Sequence, residues 1–566
     1  MQTKIKKFFK WFFGIIFVLL VLPITLFVVY TIFFLKITPP DYADKTSLQW
    51  QRTEPSKDYY RVQNNWLKKS ESGLYEVYLE GKPYERGVAF AKLNNELQKY
   101  QEEVFVDQIR EIVPSDKYLK FLGYFTRWFN KDLDQNIPME NRLEIAGYSK
   151  VIPKDFEYIA PNYERFLNYH AAHDLGHALQ QYALVGCTSF SAWDSRTPDS
   201  SMIIGRNFDF YAGDRFDDIK MMMFVSPDSG MKFAMITWPG FFGCVSGMNE
   251  KGLTVTINAA KSDVPINSAT PISILAREIL QYAGTIDEAY AIAKQRKTFV
   301  SETIMIGSAA DHSTALIEKS PTRLGLVRAD SSQITCANHY QSEVFKDDSN
   351  NIHNIAESAS MYRFNRLQQL LAGHDKIDVK AAAEILRDKG GINGEAVGYG
   401  NEMAMDQMQG HHAVIFKPQQ RLMWVSTSPW QEGKMVCYDL NKFFSQQYKM
   451  GEKAEITIDS LEIAADPFMN SPEFAGYLYY RKTAKEIRAV ISGKVKEPIR
   501  ADVIQQFQKA NPDYYYTFAL LGDYEAHLKH KSIAIEYYER ALKLKINTKQ
   551  DRWAIEENIK KLKEKS

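Results

Sequence analysis

Two short stretches decide the fold: "VGCTSFSAW" at residues 185–193 and "IIGRNFDF" at residues 203–210. Both have the composition of β-strands, and a turn containing Pro, Asp and Ser separates them. We therefore expect a hairpin. Its second strand places Arg206 and Asp209 near Cys187 at the open end of the hairpin.

These residue types in this order indicate nucleophilic chemistry. A lone cysteine is usually a small buried hydrophobe. A thiolate attacks carbonyl groups, however, and a neighbouring guanidinium such as that of Arg206 favours the thiolate form of Cys187. The carboxylate of Asp209 is suited to orient an amine, and Asn258 and Asn338 end later strands, where either amide can donate to an oxyanion.

Composition sets broad limits on the function. A chain of 566 residues is long enough for one large domain and a smaller one. A net charge of +1 and the lack of a basic aromatic patch argue against nucleic-acid binding. The four cysteines are too few for a disulfide framework; they are Cys187, Cys244, Cys336 and Cys437.

The composition of the N-terminal segment predicts a membrane anchor. Residues 11–35 carry no charge and are numerous enough to cross a bilayer. More lysines precede this segment than follow it, which predicts a cytoplasmic N-terminus and an extracytoplasmic catalytic domain, periplasmic or external. A cleaved signal peptide is the alternative to an anchor. It is less favoured because the apolar segment is long and because Thr-Pro-Pro, not an A-x-A cleavage site, follows it. The preceding lysines are Lys4, Lys6, Lys7 and Lys10.

The rest of the chain divides into segments with different patterns of polar and apolar residues. A polar stretch is followed by helical periodicity, then by short apolar runs with turns, then by helices again. The predicted units are a cytoplasmic stub and signal anchor at 1–36, a tether at 37–74, a helical segment at 75–186, a catalytic core at 187–450 and a helical tail at 451–566.

The predicted core is of the α+β class. "GCVSGMNEKGLTVTINAA" at 243–260 and "ETIMIGSAADHSTALIEKS" at 302–320 are two further hairpins. Helices are predicted at 270–296 and 379–388. Runs of strands with helices packed outside them are typical of a layered domain.

The tail contains one unit that resembles a tetratricopeptide repeat of helix–turn–helix type. A single unit cannot bury its own apolar face, so an ordinary helical pair docked on the core is the alternative. The repeat-like positions are Leu521, Gly522, Tyr524, Ala534, Tyr537, Ala541 and Leu542.

Six ordered segments resemble acyl-coenzyme A:6-aminopenicillanate acyltransferase and its relatives among the N-terminal nucleophile (Ntn) hydrolases. The later segments are also similar to bile salt hydrolases and acid ceramidase-type amidases. The resemblance runs from about residue 75 to residue 432 and implies a four-layer αββα sandwich. The segments are "GKPYERG" (81–87), "GCTSF" (186–190), "GRNFDF" (205–210), "GMNEKGL" (247–253), "TCANHY" (335–340) and "SMYRFNRL" (360–367).

The resemblance implies that the chain cuts itself between Gly186 and Cys187. The freed α-amine of Cys187 is then the general base, and its sulfur attacks an amide or thioester carbonyl. The "GKPYERG" segment precedes the cut and favours the acyltransferase branch. The motif matches assign Arg206 beside the nucleophile, Asp209 holding the amine, Asn258 in the oxyanion hole, Asn338 as a second site asparagine and Arg363 as a later site arginine.

Alternatives stay open at several of these positions. Arg206 could be only a salt-bridge partner of Asp209, and Asn258 could only cap a turn. Arg366 lies one helical turn after Arg363 and competes for the site assignment.

The histidines offer other chemistry. His170, His173 and His177 share one helix face, as zinc ligands can, but without an H-E-x-x-H motif a packed or polar helix face is favoured. His339 or His412 could form a Cys–His dyad in a cysteine peptidase that needs no processing. The sequence predicts neither a metal site nor a cofactor.

The leading hypothesis is a membrane-anchored, autoprocessed cysteine hydrolase acting on a small acylated amine. An exported site argues against acyl-coenzyme A as donor, so hydrolysis is favoured over acyl transfer. The competing hypothesis is a catalytically silent anchored scaffold whose C-terminal helices bind a protein partner.

Overall fold

A computed structural model describes residue 11, residues 17–33, residue 35 and the ranges 37–112, 115–171, 185–263, 268–445 and 456–564. The described strands form two sheets. In chain order they are β1 (Thr53–Ser56), β2 (Tyr59–Val62), β3 (Asn65–Lys69), β4 (Tyr75–Gly81), β5 (Val185–Asp194), β6 (Ser200–Phe210), β7 (Met221–Pro227), β8 (Phe233–Thr237), β9 (Ser246–Asn249), β10 (Leu253–Ala259), β11 (Glu302–Ser308), β12 (Ser313–Lys319), β13 (Leu324–Arg328), β14 (Gln333–Cys336), β15 (His412–Lys417), β16 (Leu422–Ser426) and β17 (Met435–Asp439).

The larger sheet has the order β1-β2-β3-β4-β7-β8-β9-β10-β11-β12-β13, and the smaller has β14-β5-β6-β15-β16-β17. Neighbouring strands are antiparallel except for β4 and β7, which run parallel. The hairpins β9–β10 and β11–β12 form at the turns that the sequence predicted. The β5–β6 hairpin also forms, in the middle of the smaller sheet.

Helices cover both sheets and build the tail. They are α1 (Leu22–Phe33), α2 (Pro83–Ile112), α3 (Asp116–Phe129), α4 (Met139–Ser149), α5 (Asn162–His170), α6 (Ile272–Tyr282), α7 (Ile286–Gln295), α8 (Ser349–Glu357), α9 (Ser360–Ala372), α10 (Val379–Leu386), α11 (Leu440–Phe444), α12 (Pro472–Ile491), α13 (Ala501–Ala510), α14 (Tyr515–His527), α15 (Lys531–Ala541) and α16 (Lys549–Glu564). Short 3-10 turns lie at Thr46–Gln49, Asp134–Asn136, Phe216–Asp218, Glu343–Phe345, Ile392–Gly394, Asp459–Leu461 and Pro467–Asn470.

Three apolar clusters define the layers. Side chains of α2, α4, α6 and α7 pack on the outer face of the larger sheet. The inner faces of the two sheets meet through side chains such as Met202 and Ile204 of β6 and Met222 and Phe224 of β7. Helices α9 and α10 pack on the outer face of the smaller sheet. The alternation of side chains along each strand therefore gives both sheets two buried faces.

The predicted transmembrane helix is wrong. The sequence predicted one span over residues 11–35, but a π-helical turn at Phe17–Val21 leads into α1, which has only 12 residues. Such a helix rises about 18 Å, against a hydrocarbon core of about 30 Å. Within the described ranges, no helix is both long enough and apolar enough to cross a bilayer.

The signal anchor and the single-pass localisation with an extracytoplasmic catalytic domain are corrected with it. Hydropathy reports how apolar a segment is, but it does not report how long the helix is or what packs on it. In the structure, Phe27 of α1 contacts Trp128 of α3 edge to face, with ring centroids 6.0 Å apart. The predicted basic stub at residues 1–10, and residues 12–16 and 34 of the predicted span, lie outside the described residues.

The segment predicted as a tether, 37–74, instead extends the larger sheet. Strands β1, β2 and β3 lie within it and continue the sheet outward from β4. Trp66 and Leu67 of β3 are buried. The polar residues that made this segment look like a linker belong to an edge of the sheet, where one side of each strand faces solvent. The other predicted domain boundaries stay predictions.

Helices α12 to α16 form the C-terminal region. The ring of Tyr538 in α15 lies against Gly522 in α14, where an added Cβ would come within 2.4 Å of the ring. These two helices are the predicted repeat-like hairpin. The region contacts the core at Tyr399, whose backbone N–H donates to Asn511 Oδ1 at 3.0 Å and whose carbonyl accepts from Asn511 Nδ2 at 2.8 Å.

Candidate active site

The register of the β5–β6 hairpin sets the centre of the site. Cys187 pairs with Phe208, and Gly186 pairs with Asp209. Arg206 lies two residues from Phe208 and so shares the face of Cys187, and its Nη2 lies 3.7 Å from the sulfur. Asp209 is on the opposite face of β6 and lies beside Gly186.

Arg206 is held in place by groups of two neighbouring strands, β9 and β10. Its Nη1 donates to Ser246 Oγ at 2.7 Å, and its Nη2 donates to the carbonyl oxygen of Ile257 at 2.6 Å. The guanidinium is fully buried. Within the described residues it forms no ion pair with Asp209, so the geometry does not favour a purely structural salt bridge between them.

Burial controls the protonation of Cys187. Loss of solvent raises the pKa of its thiol to about 11, while the positive charge of Arg206 and the backbone N–H of Ala259 act in the opposite direction. The thiol is therefore protonated at neutral pH in the uncut chain. Arg206 is placed to stabilise the thiolate once a base removes the proton.

Asp209 is also fully buried. Its Oδ1 accepts a hydrogen bond from Gln431 Nε2 at 3.0 Å, and its Oδ2 has no hydrogen-bond partner within the described part of the chain. Burial raises the pKa of the carboxyl to about 7, and the bond from Gln431 opposes this shift. Asp209 can therefore exchange a proton near neutral pH.

Asn338 connects the cysteine to a helix on the other side. Its Oδ1 accepts from the backbone N–H of Cys187 at 3.0 Å and also from Nη2 of Arg363. Its Nδ2 donates to the carbonyl oxygen of Ala259 at 3.0 Å. The nitrogen that self-cleavage would convert into an α-amine is thus held by Asn338.

The two candidate arginines of α9 make different contacts. Arg363 is buried and donates to Asn338, to the carbonyl oxygen of Glu402 at 2.7 Å and to Thr188 Oγ1 at 3.2 Å. Arg366 instead pairs with Asp388, with Nη2 and Oδ1 2.8 Å apart. The structure brings Arg363, and not Arg366, to the cysteine.

Asn258 lies in β10, the strand that ends at Ala259. It is fully buried; its Oδ1 accepts from Ser189 Oγ at 2.8 Å and its Nδ2 donates to the carbonyl oxygen of Ala337 at 3.4 Å. The bond from Nδ2 is long, so this amide can turn toward a stronger acceptor. A turn-capping role does not fit, because Asn258 lies inside a strand.

Residues 195–425 match the family model of acyl-coenzyme A:6-aminopenicillanic acid acyl-transferase. This confirms the family resemblance predicted from the sequence. The matched range contains five of the six predicted site residues and begins after Cys187. The match supports an amide-cleaving or acyl-transferring enzyme.

Comparisons with individual proteins give more distant matches. An uncharacterised protein of Archaeoglobus fulgidus is 24% identical over 250 residues, which cover 42% of this chain and 41% of that protein. The chain thus spans about two fifths of the length of this curated relative.

Two solved structures are also similar. A Caenorhabditis elegans N-acylethanolamine-hydrolyzing acid amidase ortholog is 16% identical, with 41% of this chain and 93% of that chain covered and a TM-score of 0.31. A mutant of the conjugated bile acid hydrolase from Clostridium perfringens is 14% identical, with 48% of this chain and 99% of that chain covered and a TM-score of 0.31.

The histidines considered for a Cys–His dyad lie in other contacts. His412 Nε2 is 2.9 Å from Ser246 Oγ, and His339 Nδ1 is 2.8 Å from Ser360 Oγ. Burial lowers the pKa of both rings, which keeps them neutral. Neither ring hydrogen-bonds to Cys187 within the described part of the chain.

The predicted histidine face of the helix before the cut is only partly described. His170 is a packed core residue: its Nδ1 is 2.7 Å from the carbonyl oxygen of Phe166, and its Nε2 accepts from the backbone N–H of Phe242 at 2.9 Å. His173 and His177 lie outside the described residues. No cluster suited to a metal ion occurs among the described side chains.

Sequence reasoning missed two residues that support the site and a third that lies at the predicted cut. Ser246 positions Arg206, Gln431 holds Asp209, and Gln407 lies against Gly186. Gln431 lies near the end of the stretch that carries the family resemblance. Its partner, Asp209, is 222 residues away in the sequence, so only the tertiary structure reveals the contact. None of the three belongs to a motif that indicates its partner.

Proposed function

We propose that this chain is an autoprocessed cysteine Ntn hydrolase that cleaves a linear amide through an acyl-enzyme on Cys187. The observation that carries the proposal is the set of contacts around one residue. Cys187 has its sulfur beside Arg206 and its backbone nitrogen on Asn338. A structural cysteine needs neither contact.

The processing step follows from these contacts. The Cys187 sulfur adds to the carbonyl carbon of Gly186, the peptide C–N bond breaks, and the thiol proton ends on the released nitrogen. This gives a thioester between Gly186 and Cys187. Water then hydrolyses the thioester, leaving a carboxylate on Gly186 and restoring the thiol. The carboxyl of Asp209 lies beside Gly186, and its pKa of about 7 suits the transfer of these protons.

Turnover repeats the chemistry on a substrate. The α-amine of Cys187, held by Asn338, accepts the thiol proton, and Arg206 stabilises the thiolate that attacks the acyl carbonyl. The amine product leaves with that proton, and water releases the acyl group from sulfur. An α-amine has an ordinary pKa of about 7.7–8.0, which is suited to a base at neutral pH.

The test is whether the chain is cut between Gly186 and Cys187. The wild type should separate into residues 1–186 and 187–566, with Cys187 as a new N-terminus, and Cys187→Ala should stay whole. Cys437→Ala removes another buried cysteine and serves as the matched control; it should be cut normally. Intact-mass measurement and N-terminal sequencing give the result. Fully active protein in which Gly186 and Cys187 remain joined would contradict the proposal.

A second candidate function is acyl transfer to an amine, and the description of the matched family favours it. Incubation with N-acyl amino acids, N-acyl amines and β-lactams, with and without a second amine, separates the two functions. A new amide in the product mixture supports transfer, and free acid alone supports hydrolysis.

A further inference from the structure

The position before Cys187 has no room for a side chain while the Gln407 amide stays in place. Gly186 is buried, and a Cβ built on it would lie 2.4 Å from Nε2, 2.7 Å from Oε1 and 2.9 Å from Cδ of Gln407. All three distances are shorter than real Cβ atoms allow. The amide of Gln407 therefore occupies the space that a residue larger than glycine would need.

The state of Gln407 is unusual for a structural glutamine. The residue is fully buried, and its Oε1 accepts from Gln409 Nε2 at 3.1 Å. Its own Nε2 is buried and has no hydrogen-bond partner among the described residues. A buried, unpaired N–H group is costly, so its presence next to a reacting bond needs a reason.

We infer that Gln407 serves the self-cleavage step, by donating its side-chain N–H to the oxygen of the Gly186 carbonyl as that carbon becomes tetrahedral. The amide lies against the α-carbon of Gly186, one bond from the carbonyl carbon that the sulfur attacks. A donor that is unpaired in the ground state and paired with the oxyanion stabilises the transition state selectively. The inference rests on the proposed function, because it assigns a residue to its processing step.

The same geometry gives Gln407 a second consequence. Glycine at position 186 lets the donor approach the backbone closely, and a larger residue there would have to displace the Gln407 amide. Gln407 therefore links the rate of self-cleavage to the identity of the residue at position 186.

The first test separates processing from turnover. Gln407→Ala and Gln407→Leu should slow self-cleavage by about 10²-fold or more, as loss of one oxyanion donor does. Activity per mole of cut enzyme should change less than about threefold, because the Gly186 carbonyl does not take part in turnover. Gln409→Ala, which removes only the group that donates to Oε1, is the matched control and should be cut at the wild-type rate.

The second test is a rescue. Gly186→Ala should stay whole, because its methyl group collides with Gln407. Gly186→Ala combined with Gln407→Ala should be cut at about the rate of Gln407→Ala alone. Gln407→Glu keeps the shape but presents no N–H, so its slow cleavage tests the donor if the alanine variants do not fold.

The outcomes are distinguishable. Wild-type cleavage rates in Gln407→Ala, Gln407→Leu and Gln407→Glu would overturn the inference while leaving the proposed function intact. A double variant as inert as Gly186→Ala would also overturn it. A wild-type chain that never cuts would instead remove the proposed function.

Discussion

At the residue scale, burial acts in the same direction on the two titratable groups beside the predicted cut. It raises the pKa of the Cys187 thiol to about 11 and that of the Asp209 carboxyl to about 7. At neutral pH the thiol keeps its proton, whereas the carboxyl is close to half-ionised. In the proposed processing step, proton exchange is therefore assigned to Asp209, and Arg206 favours the thiolate.

The raised pKa of Asp209 predicts a pH dependence of stability. The folded chain binds this proton more tightly than the unfolded chain, whose carboxyl has a pKa of about 3.9. The contribution is therefore present at low pH and is lost as pH rises toward 7, at up to about 1.4 kcal/mol per pH unit. Above the folded-state value it changes no further.

The measurement compares Asp209→Asn with its parent by chemical unfolding between about pH 5 and pH 8, both carrying Cys187→Ala to keep the chain whole. The variant should gain stability relative to the parent as pH rises to about 7, since asparagine carries no titrating proton. Parallel pH profiles for the two chains would show that the pKa of Asp209 is not raised.

At the element scale, the "GKPYERG" segment leads into the start of α2, where two helices cross. Gly87 of α2 lies on α4, and a Cβ there would be 1.9 Å from the carbonyl oxygen of Glu144. Gly147 of α4 meets Tyr84 of α2 in the same way, with a Cβ 2.2 Å from its carbonyl oxygen. The two glycines permit the backbones to touch, which fixes α4 against the larger sheet through α2.

Gly87→Ala should therefore destabilise the protein by about 1–3 kcal/mol, because the methyl group forces two backbones apart. The usual effect inside a helix has the opposite sign, since alanine is favoured over glycine by about 1 kcal/mol. Thermal or urea unfolding measures the change.

Gly123→Ala in α3 is the matched control for that prediction. Its added Cβ would lie 3.7 Å from the carbonyl oxygen of Ile159, at ordinary contact distance. This variant should gain up to about 1 kcal/mol. If both substitutions change stability in the same direction, close packing of α2 on α4 is not what requires Gly87.

At the scale of the whole molecule, one partly buried lysine joins the core to the C-terminal region. Lys389 Nζ lies 3.0 Å from Asp406 Oδ2, 3.1 Å from Glu432 Oε2 and 2.8 Å from Asp466 Oδ2. Burial and the neighbouring Asp406 raise the pKa of Glu432. Asp406 and Glu432 adjoin Gln407 and Gln431 in the chain, so the cluster ties the tail to the segments that contact Gly186 and Asp209.

Lys389→Met should cost about 3–5 kcal/mol, because it leaves three carboxyl groups without their cation. Chemical unfolding at about pH 7 measures this loss. Lys346→Met, which breaks an exposed pair with Glu343, is the control and should leave stability unchanged. Equal effects of the two substitutions would contradict a supporting role for the cluster.

The sequence by itself determined the order of the motifs, the family resemblance and the β5–β6 hairpin. The hairpin needed no long-range information, because its register depends on a turn and on alternation within about twenty-five residues. Cys187, Arg206 and Asp209 could be grouped for that reason. Asn258 and Asn338 were marked only as amides that end later strands, and the resemblance alone gave them and Arg363 their places in the site.

Only the tertiary structure decided the rest. Asn338 reaches Cys187 across 151 positions, and Gln431 reaches Asp209 across 222, because the order of strands in the sheets brings distant segments together. The same reason explains the errors at the N-terminus. Hydropathy does not report the length of the helix that forms, and polarity does not show that β1 to β3 pair beside β4.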